Sequence, residues 1–437
     1  MVTDTKVKKS LPQGIGRFTA GWILFFSLTT IILIVGILAF IYESQMGMTV
    51  TGMRDIGTQG GATWGLYVVM VEYFIGVSLA GLVLVAFANV FDVMSLRPIS
   101  RLAVLLTAVS LTVGLMAVVI DLGNPIRGII NMFLYVRPQS AFFGTFTLVA
   151  AGVLMTSLVF LFLNGRRDAM LLVEMDPPRQ WFYRLWASGY RDTDAEWERH
   201  RRVIFWLSIL VGPLVVIALS TEGLVFGIQV GRPGWFGALQ GPDFIVLAAA
   251  SGLANLIVLT AIVRKVLDTG TSLIGSIVFK WLGGLLLAAS AAALYFQIVA
   301  LFTLLYATPG AERRLADALI RGPYAWIFWL GLALLVFGIV VLVVQAARGT
   351  WGVAPLVVAA VAISTSAVAE RYLTVIPSQT HGMMLPYEPG YYFPTWVEFA
   401  VVAGLFAFGA LVFGIFMKVF PIIPLKSRTK QEVLADA

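Results

Sequence analysis

Long apolar runs alternate with short polar connections along almost the whole chain. A spanning helix needs about 20 mainly apolar residues. Ten stretches meet that length, at 18–42, 64–88, 100–122, 139–163, 203–224, 243–264, 273–307, 323–346, 352–376 and 395–418. The seventh is long enough to tilt or to project past the bilayer. The longest connection, 165–202, is charged and rich in Trp and Tyr, and reads as a surface-lying segment without a fold of its own. The pattern predicts an all-α polytopic membrane protein of ten transmembrane helices, with a membrane domain at 18–418 and polar tails at 1–17 and 419–437. The first stretch is too long for a signal-peptide core and reads as a retained helix.

Composition narrows the chemistry. The 437 residues are 59% hydrophobic and include two histidines and no cysteine. Such a chain cannot ligate an iron–sulfur cluster through thiolates, attach a haem through thioethers, or hold a bis-histidine haem in the bilayer. His200 falls in a charged connection and His381 in a polar one, so no metal site is expected. The work in the membrane is left to carboxylates, arginine, hydroxyls and shape.

The isoelectric point of 9.6 reports orientation, not nucleic-acid binding. Placing both termini in the cytoplasm puts 21 Lys and Arg on that side and 7 on the other, with Lys280 and Arg371 left in the membrane. The expected location is the cytoplasmic (inner) membrane, with N- and C-termini cytoplasmic.

A weak internal repeat relates stretches two to five with six to nine. SLAGLVL at 78–84 matches SGLANLIVL at 251–259, and RPQSAFF at 137–143 matches RGPYAWIF at 321–328. Four helices separate each pair, so the halves share one orientation. The expectation is two four-helix bundles, at 64–224 and 243–376, flanked by helices one and ten. Chance similarity among small-residue membrane helices gives the same pattern.

Ionisable residues inside a bilayer are costly and mark function by default. Glu72, Asp121, Glu222, Asp243, Glu370, Glu398 and Arg371 all gather toward the outer leaflet in this orientation. For Asp121, Asp243 and Glu398 the plainer reading is a helix end wetted by the interface. Arg371 and Glu72 lie deeper. Arg371 stays charged, so a carboxylate partner or a water-filled cavity is expected beside it. Ser364 and its hydroxyl neighbours lie below Arg371 as a polar track. Asp92 and Lys280, near the inner surface, are either the mouth of a proton path or snorkelling residues.

Several motifs then resemble one family in order. DLGNPIR at 121–127 is similar to the D-L-G-x-P-x-R signature of the NrfD/PsrC family, the polysulfide-reductase-type membrane subunits. WGLY at 64–67, RGPYAWIFW at 321–329, and ERY at 370–372 followed by YYFPTWVE at 391–398 resemble further family motifs. PGW at 233–235 resembles the branch found in alternative complex III. The resemblance implies a quinone-reactive membrane subunit of a respiratory oxidoreductase. It implies ubiquinone or menaquinone as the bound group, with no haem, flavin or iron–sulfur cluster in this chain. It also implies a peripheral ferredoxin-like iron–sulfur subunit on the outer face, a large molybdopterin-type catalytic subunit, other membrane subunits, and proton translocation as an accompanying activity. The implied quinone pocket lies beside Asp121. Asp121 and Arg371 carry over by motif, and Glu398 only as a family feature. Some relatives place a histidine in the pocket, and this chain has none there, so Glu72 is the substitute acid or base. Glu222 and Asp243 complete the expected quinone contacts, and Asp92, Ser364, Glu370 and Glu398 the proton path.

Two other functions fit the residues less well. An ion-coupled transporter also uses repeats and buried carboxylates, but its site usually sits near the midplane. A structural anchor with an inactive pocket would need none of these charges.

Overall fold

The computed structural model describes residues 11–53, 63–135, 137, 139, 140, 147–175, 179–267, 270–306, 310–381, 390 and 392–425. Most of the basic tail residues, Arg54, most of RPQSAFF and Tyr391 lie outside the described residues.

Ten described helices are long and apolar enough to cross a membrane, and the chain is a multi-pass integral membrane protein. They are α1 (Ala20–Met46), α2 (Leu66–Val90), α3 (Ser100–Asp121), α4 (Thr147–Glu174) and α5 (Asp194–Gly227). The second half holds α6 (Gln240–Val266), α7 (Ser276–Tyr306), α8 (Ala325–Ala347), α9 (Val353–Val375) and α10 (Trp396–Val419). No strand occurs among the described residues.

The connection at 165–202 is largely helical: much of it extends α4 and α5, and among the described residues the short helix Gln180–Ala187 lies between them. Charge does not interrupt a helix beyond the hydrocarbon, and α5 starts on a working cap. Thr193 Oγ1 accepts from the Glu196 amide at 3.4 Å, with Asp194 and Glu196 in the first turn.

The helix contacts are consistent with two four-helix groups. In the first half α2 packs on α3 and α5, and α4 joins α3 to α5. In the second half α6 packs on α7 and α9, and α8 joins α7 to α9. The halves meet where α2 crosses α6. There the two repeat motifs touch, because a Cβ on Gly252 would collide with the Ala80 Cβ. The α2–α9 and α5–α6 contacts flank that crossing and are the equivalent pairs of the repeat.

Helices α1 and α10 pack together and rest on the first half through α3. Their crossing depends on small residues, as membrane helix pairs often do. A Cβ on Gly36 would lie 2.7 Å from the Gly404 Cα. Both tails leave at one end of the molecule, where the Gly16 amide donates to the Lys418 carbonyl at 3.1 Å. That end is called the tail face below, and the other the far face.

Candidate functional site

A cleft near the far face is built by three helices, each offering residues three or four apart on one side. Trp64, Val68, Val71 and Glu72 come from the start of α2, Val118 and Asp121 from the end of α3, and Glu222 and Val225 from α5. The cavity it encloses is small, about 30 Å³. Its walls are apolar, and its polar groups are carboxyls.

Trp64, on the cleft lining, is held by ring contacts and backbone hydrogen bonds. Its ring stacks on Trp235 at 5.6 Å and 20°, and meets Phe226 edge-on at 5.8 Å. The Gln379 side chain accepts from the Trp64 amide and donates to the Trp64 carbonyl, both at 2.9 Å. Trp235 in turn donates to the Thr374 carbonyl at 2.5 Å. The aromatic lid is thereby tied to the end of α9.

Several buried polar atoms at the cleft have no hydrogen-bond partner among the described residues. They are Glu72 Oε2, Asp121 Oδ1 and both carboxyl oxygens of Glu222, and the Glu72 and Glu222 carboxyls are close enough to share a proton. Arg371 Nη1, outside the cleft lining, is unpaired as well. Buried polar groups left unpaired are costly, so a cluster of them marks a place for a polar ligand or water.

Arg371 is 2% exposed. Its guanidinium carbon lies 3.7 Å from the centre of the Phe244 ring. Among the described residues it makes no ion pair within 4.0 Å. A guanidinium is planar and weakly hydrated, which suits it to an aromatic face. Its charge still acts on Glu72, Glu222, Asp243 and Glu370. Glu370 accepts from Gln297 Nε2 at 2.9 Å, and Asp243 sits half-buried in the first turn of α6.

Asp121 belongs to a second group of acids. Its charged neighbours are Glu43 and Glu398. Glu398 is largely occupied: Oε2 accepts from the Gly52 amide at 2.7 Å and the Thr395 amide at 2.9 Å, and Oε1 from the Tyr392 hydroxyl. It closes a capping box on α10 and ties that helix to the start of α2, since the Leu66 amide donates to Tyr392 Oη at 2.7 Å. Burial and the Glu398 carboxyl push the Tyr392 phenol well up from its ordinary value.

The remaining expected residues fall elsewhere. Ser364 joins Tyr73 at 2.6 Å and Asn255 at 3.1 Å in a polar knot where α9, α2 and α6 meet. Asp92 is exposed at the tail face and pairs with Arg97 at 2.7 Å. Lys280 is exposed in α7.

Glu43 escapes the sequence pattern because the first apolar stretch ends one residue before it, at what reads as a wet helix end. In the fold it is 3% exposed and accepts from the Tyr67 hydroxyl. Arg101 escapes as one of many tail-side cations. It is fully buried, pairs with Asp168 at 2.7 Å and donates to the carbonyls of Asn164 and Pro421 at 2.6 Å.

Known proteins resemble the chain along much of its length. A protein of Halobacterium salinarum, provisionally named as a membrane subunit of dimethyl sulfoxide reductase, is 29% identical over 266 residues, 60% of this chain and 56% of the relative. The chain thus spans little more than half of that relative. A selenate reductase subunit of Mesobacillus selenatarsenatis is 26% identical over 425 residues, 93% of this chain and 96% of the relative. The Hdr-like menaquinol oxidoreductase integral membrane subunit of Archaeoglobus fulgidus is 23% identical over 430 residues, 92% of this chain and 93% of the relative. The family model described as polysulphide reductase, NrfD, matches residues 54–382, and with ten membrane helices and the DLGNPIR motif at the cleft the chain belongs to that family.

Proposed function

We propose that the chain is the quinone-reactive membrane subunit of a multi-subunit respiratory oxidoreductase. It passes electrons between membrane quinone and a peripheral iron–sulfur subunit, which serves a large molybdopterin-type catalytic subunit. The observation that carries this reading is the set of unpaired buried oxygens of Glu72, Asp121 and Glu222 around an apolar cleft under Trp64. A quinone presents a flat apolar ring and two oxygens, and fits a site of that chemistry. The names of the relatives support it: two are subunits of reductases, and one is the membrane subunit of a menaquinol oxidoreductase.

The bound quinone supplies two-electron, two-proton redox chemistry. The chain supplies proton handling and position. Asp121 and Glu72 come from different helices, so each can serve one quinone oxygen, accepting its proton on oxidation and returning it on reduction. Trp64, on the cleft lining, would pack against a bound ring and keep water from it. Arg371 places one positive charge near Glu72, Glu222, Asp243 and Glu370, enough to balance one ionised acid of the group at a time. Ser364 and Glu370 offer further exchange groups below, and Asp92 marks where a route to the tail face would open.

The bias of 21 against 7 basic residues supports a cytoplasmic tail face. The iron–sulfur subunit then docks on the far face, over the connections at 123–138, 227–242 and 309–322. Cross-links from that subunit are expected there, and cross-links confined to 165–202 would reverse the assignment.

The deciding experiment compares quinol-linked and viologen-linked activity of the complex in the same membranes. Asp121→Asn keeps the shape and removes the base. It is expected to abolish the first activity and leave the second. Full quinol-linked activity in this variant would displace the site.

A further inference from the structure

Helix α1 lies mostly against its surroundings, not the protein, and buries only Gly36, Ala39 and Glu43 among its residues. These three share one face, and Gly36 and Ala39 explain themselves as small residues at the crossing with α10. Glu43 does not. A carboxyl on a packing face is costly unless it is used. Its Oε2 accepts from the Tyr67 hydroxyl, and its Oε1 takes no hydrogen bond from any described residue. Ser44, Gln45 and Met46, the next residues, are exposed at the far-face end of the helix. Glu43 thus lies in the last turn of α1, at the end of the helix nearest the far face.

Its neighbours define what it can exchange with. Tyr67 comes from the first turn of α2, is fully buried, and lies within the electrostatic reach of Glu43, Asp121 and Glu398. Glu398 is fixed in place by two amides and a phenol. Glu43, with one donor, has no such restraint. Both Glu43 and Glu398 lie outside the segment 54–382 matched by the family.

We infer that Glu43 is the proton-exchange residue between Asp121 and the far face, with the Tyr67 hydroxyl as the relay. The inference rests on the quinone reading of the cleft. As quinol is oxidised, its two electrons leave to the iron–sulfur subunit, one proton goes to Asp121 and the other to Glu72. Asp121 makes no hydrogen bond to Tyr67, so its proton passes through an intervening water to the Tyr67 oxygen, and the Tyr67 hydroxyl, which donates to Glu43, releases its own proton there. Tyr67 ends as it began, Asp121 is again a base, and Glu43 carries the proton outward. Quinone reduction runs the same steps in reverse.

The assembled complex tests this directly, with quinol as donor and viologen-linked activity as the control. Glu43→Gln keeps an oxygen for the Tyr67 hydroxyl and removes the titrating group. Quinol kcat is expected to fall about 100-fold, with KM for quinol and the viologen-linked activity unchanged. Glu43→Asp is expected to restore most of the rate. Tyr67→Phe, which leaves the carboxyl in place, is expected to lower kcat in the same way. Wild-type turnover in both Glu43→Gln and Tyr67→Phe, with Asp121→Asn inactive, overturns the inference and leaves the quinone site standing. A Glu43→Asp variant as slow as Glu43→Gln, with a raised KM, overturns it too, since Glu43 then serves only to seat α1. Full activity in Asp121→Asn removes the quinone reading itself.

Discussion

The guanidinium of Arg371 rests 3.7 Å from the centre of the Phe244 ring, in a protein region that also holds Glu72, Glu222, Asp243 and Glu370. The cation is thus seated by an aromatic face, and its charge is spread over several acids instead of being committed to one ion pair. A cation committed to one carboxylate would leave the others unbalanced. A cation on a ring stays available to whichever acid is ionised.

Phe244 is fully buried, so its ring both fills the core and holds the charge. Phe244→Leu is expected to cost about 2–3 kcal/mol of stability, from the lost desolvated cation–π contact and incomplete repacking. Phe244→Tyr, with its ring retained, should cost less. Thermal unfolding in detergent measures both. Equal midpoints for the two variants would mean the ring does not seat Arg371.

Arg371→Leu leaves four acids without their cation. It is expected to lower both the amount of assembled complex and quinol-linked turnover. Adding Glu222→Gln removes one of those acids and should recover part of the stability, giving a coupling of about 1 kcal/mol in a double-mutant cycle. Strict additivity of the two changes would separate Glu222 from Arg371.

Arg101 and Asp168 form a fully buried pair that clamps α3, α4 and the chain after α10, helped by the Arg101 contact with the Phe420 ring at 5.2 Å. Asp168→Ala strands the guanidinium and is expected to cost about 3–5 kcal/mol. Because this clamp lies at the tail face, the fraction that still assembles should keep wild-type KM for quinol. A raised KM in assembled Asp168→Ala complex would tie the clamp to the cleft.

With two histidines and no cysteine, the isolated subunit is expected to show no haem or flavin absorbance and no bound iron. Absorption spectra and metal analysis after stripping the partner subunits check this. A Soret band that stays with the chain would overturn it.

The ten spanning helices are legible from the amino-acid order alone, because hydrocarbon thickness sets a length that runs of apolar residues either meet or miss. The family is legible there too, through DLGNPIR at 121–127 and the motifs ordered around it. Individual acids such as Glu72, Asp121 and Glu222 were visible too, because charge in an apolar run is conspicuous. Their grouping was not. Glu72 and Glu222 share Arg371, while Asp121 shares Glu43 and Glu398, and that division follows from which helix faces meet. The partner of Arg371 is equally a tertiary matter, since an aromatic ring leaves no charge signature along the chain. Glu43 and Arg101 show the limit most plainly. Each sits at a helix end where charge is ordinary in sequence, and only the packing of other helices over it makes it buried.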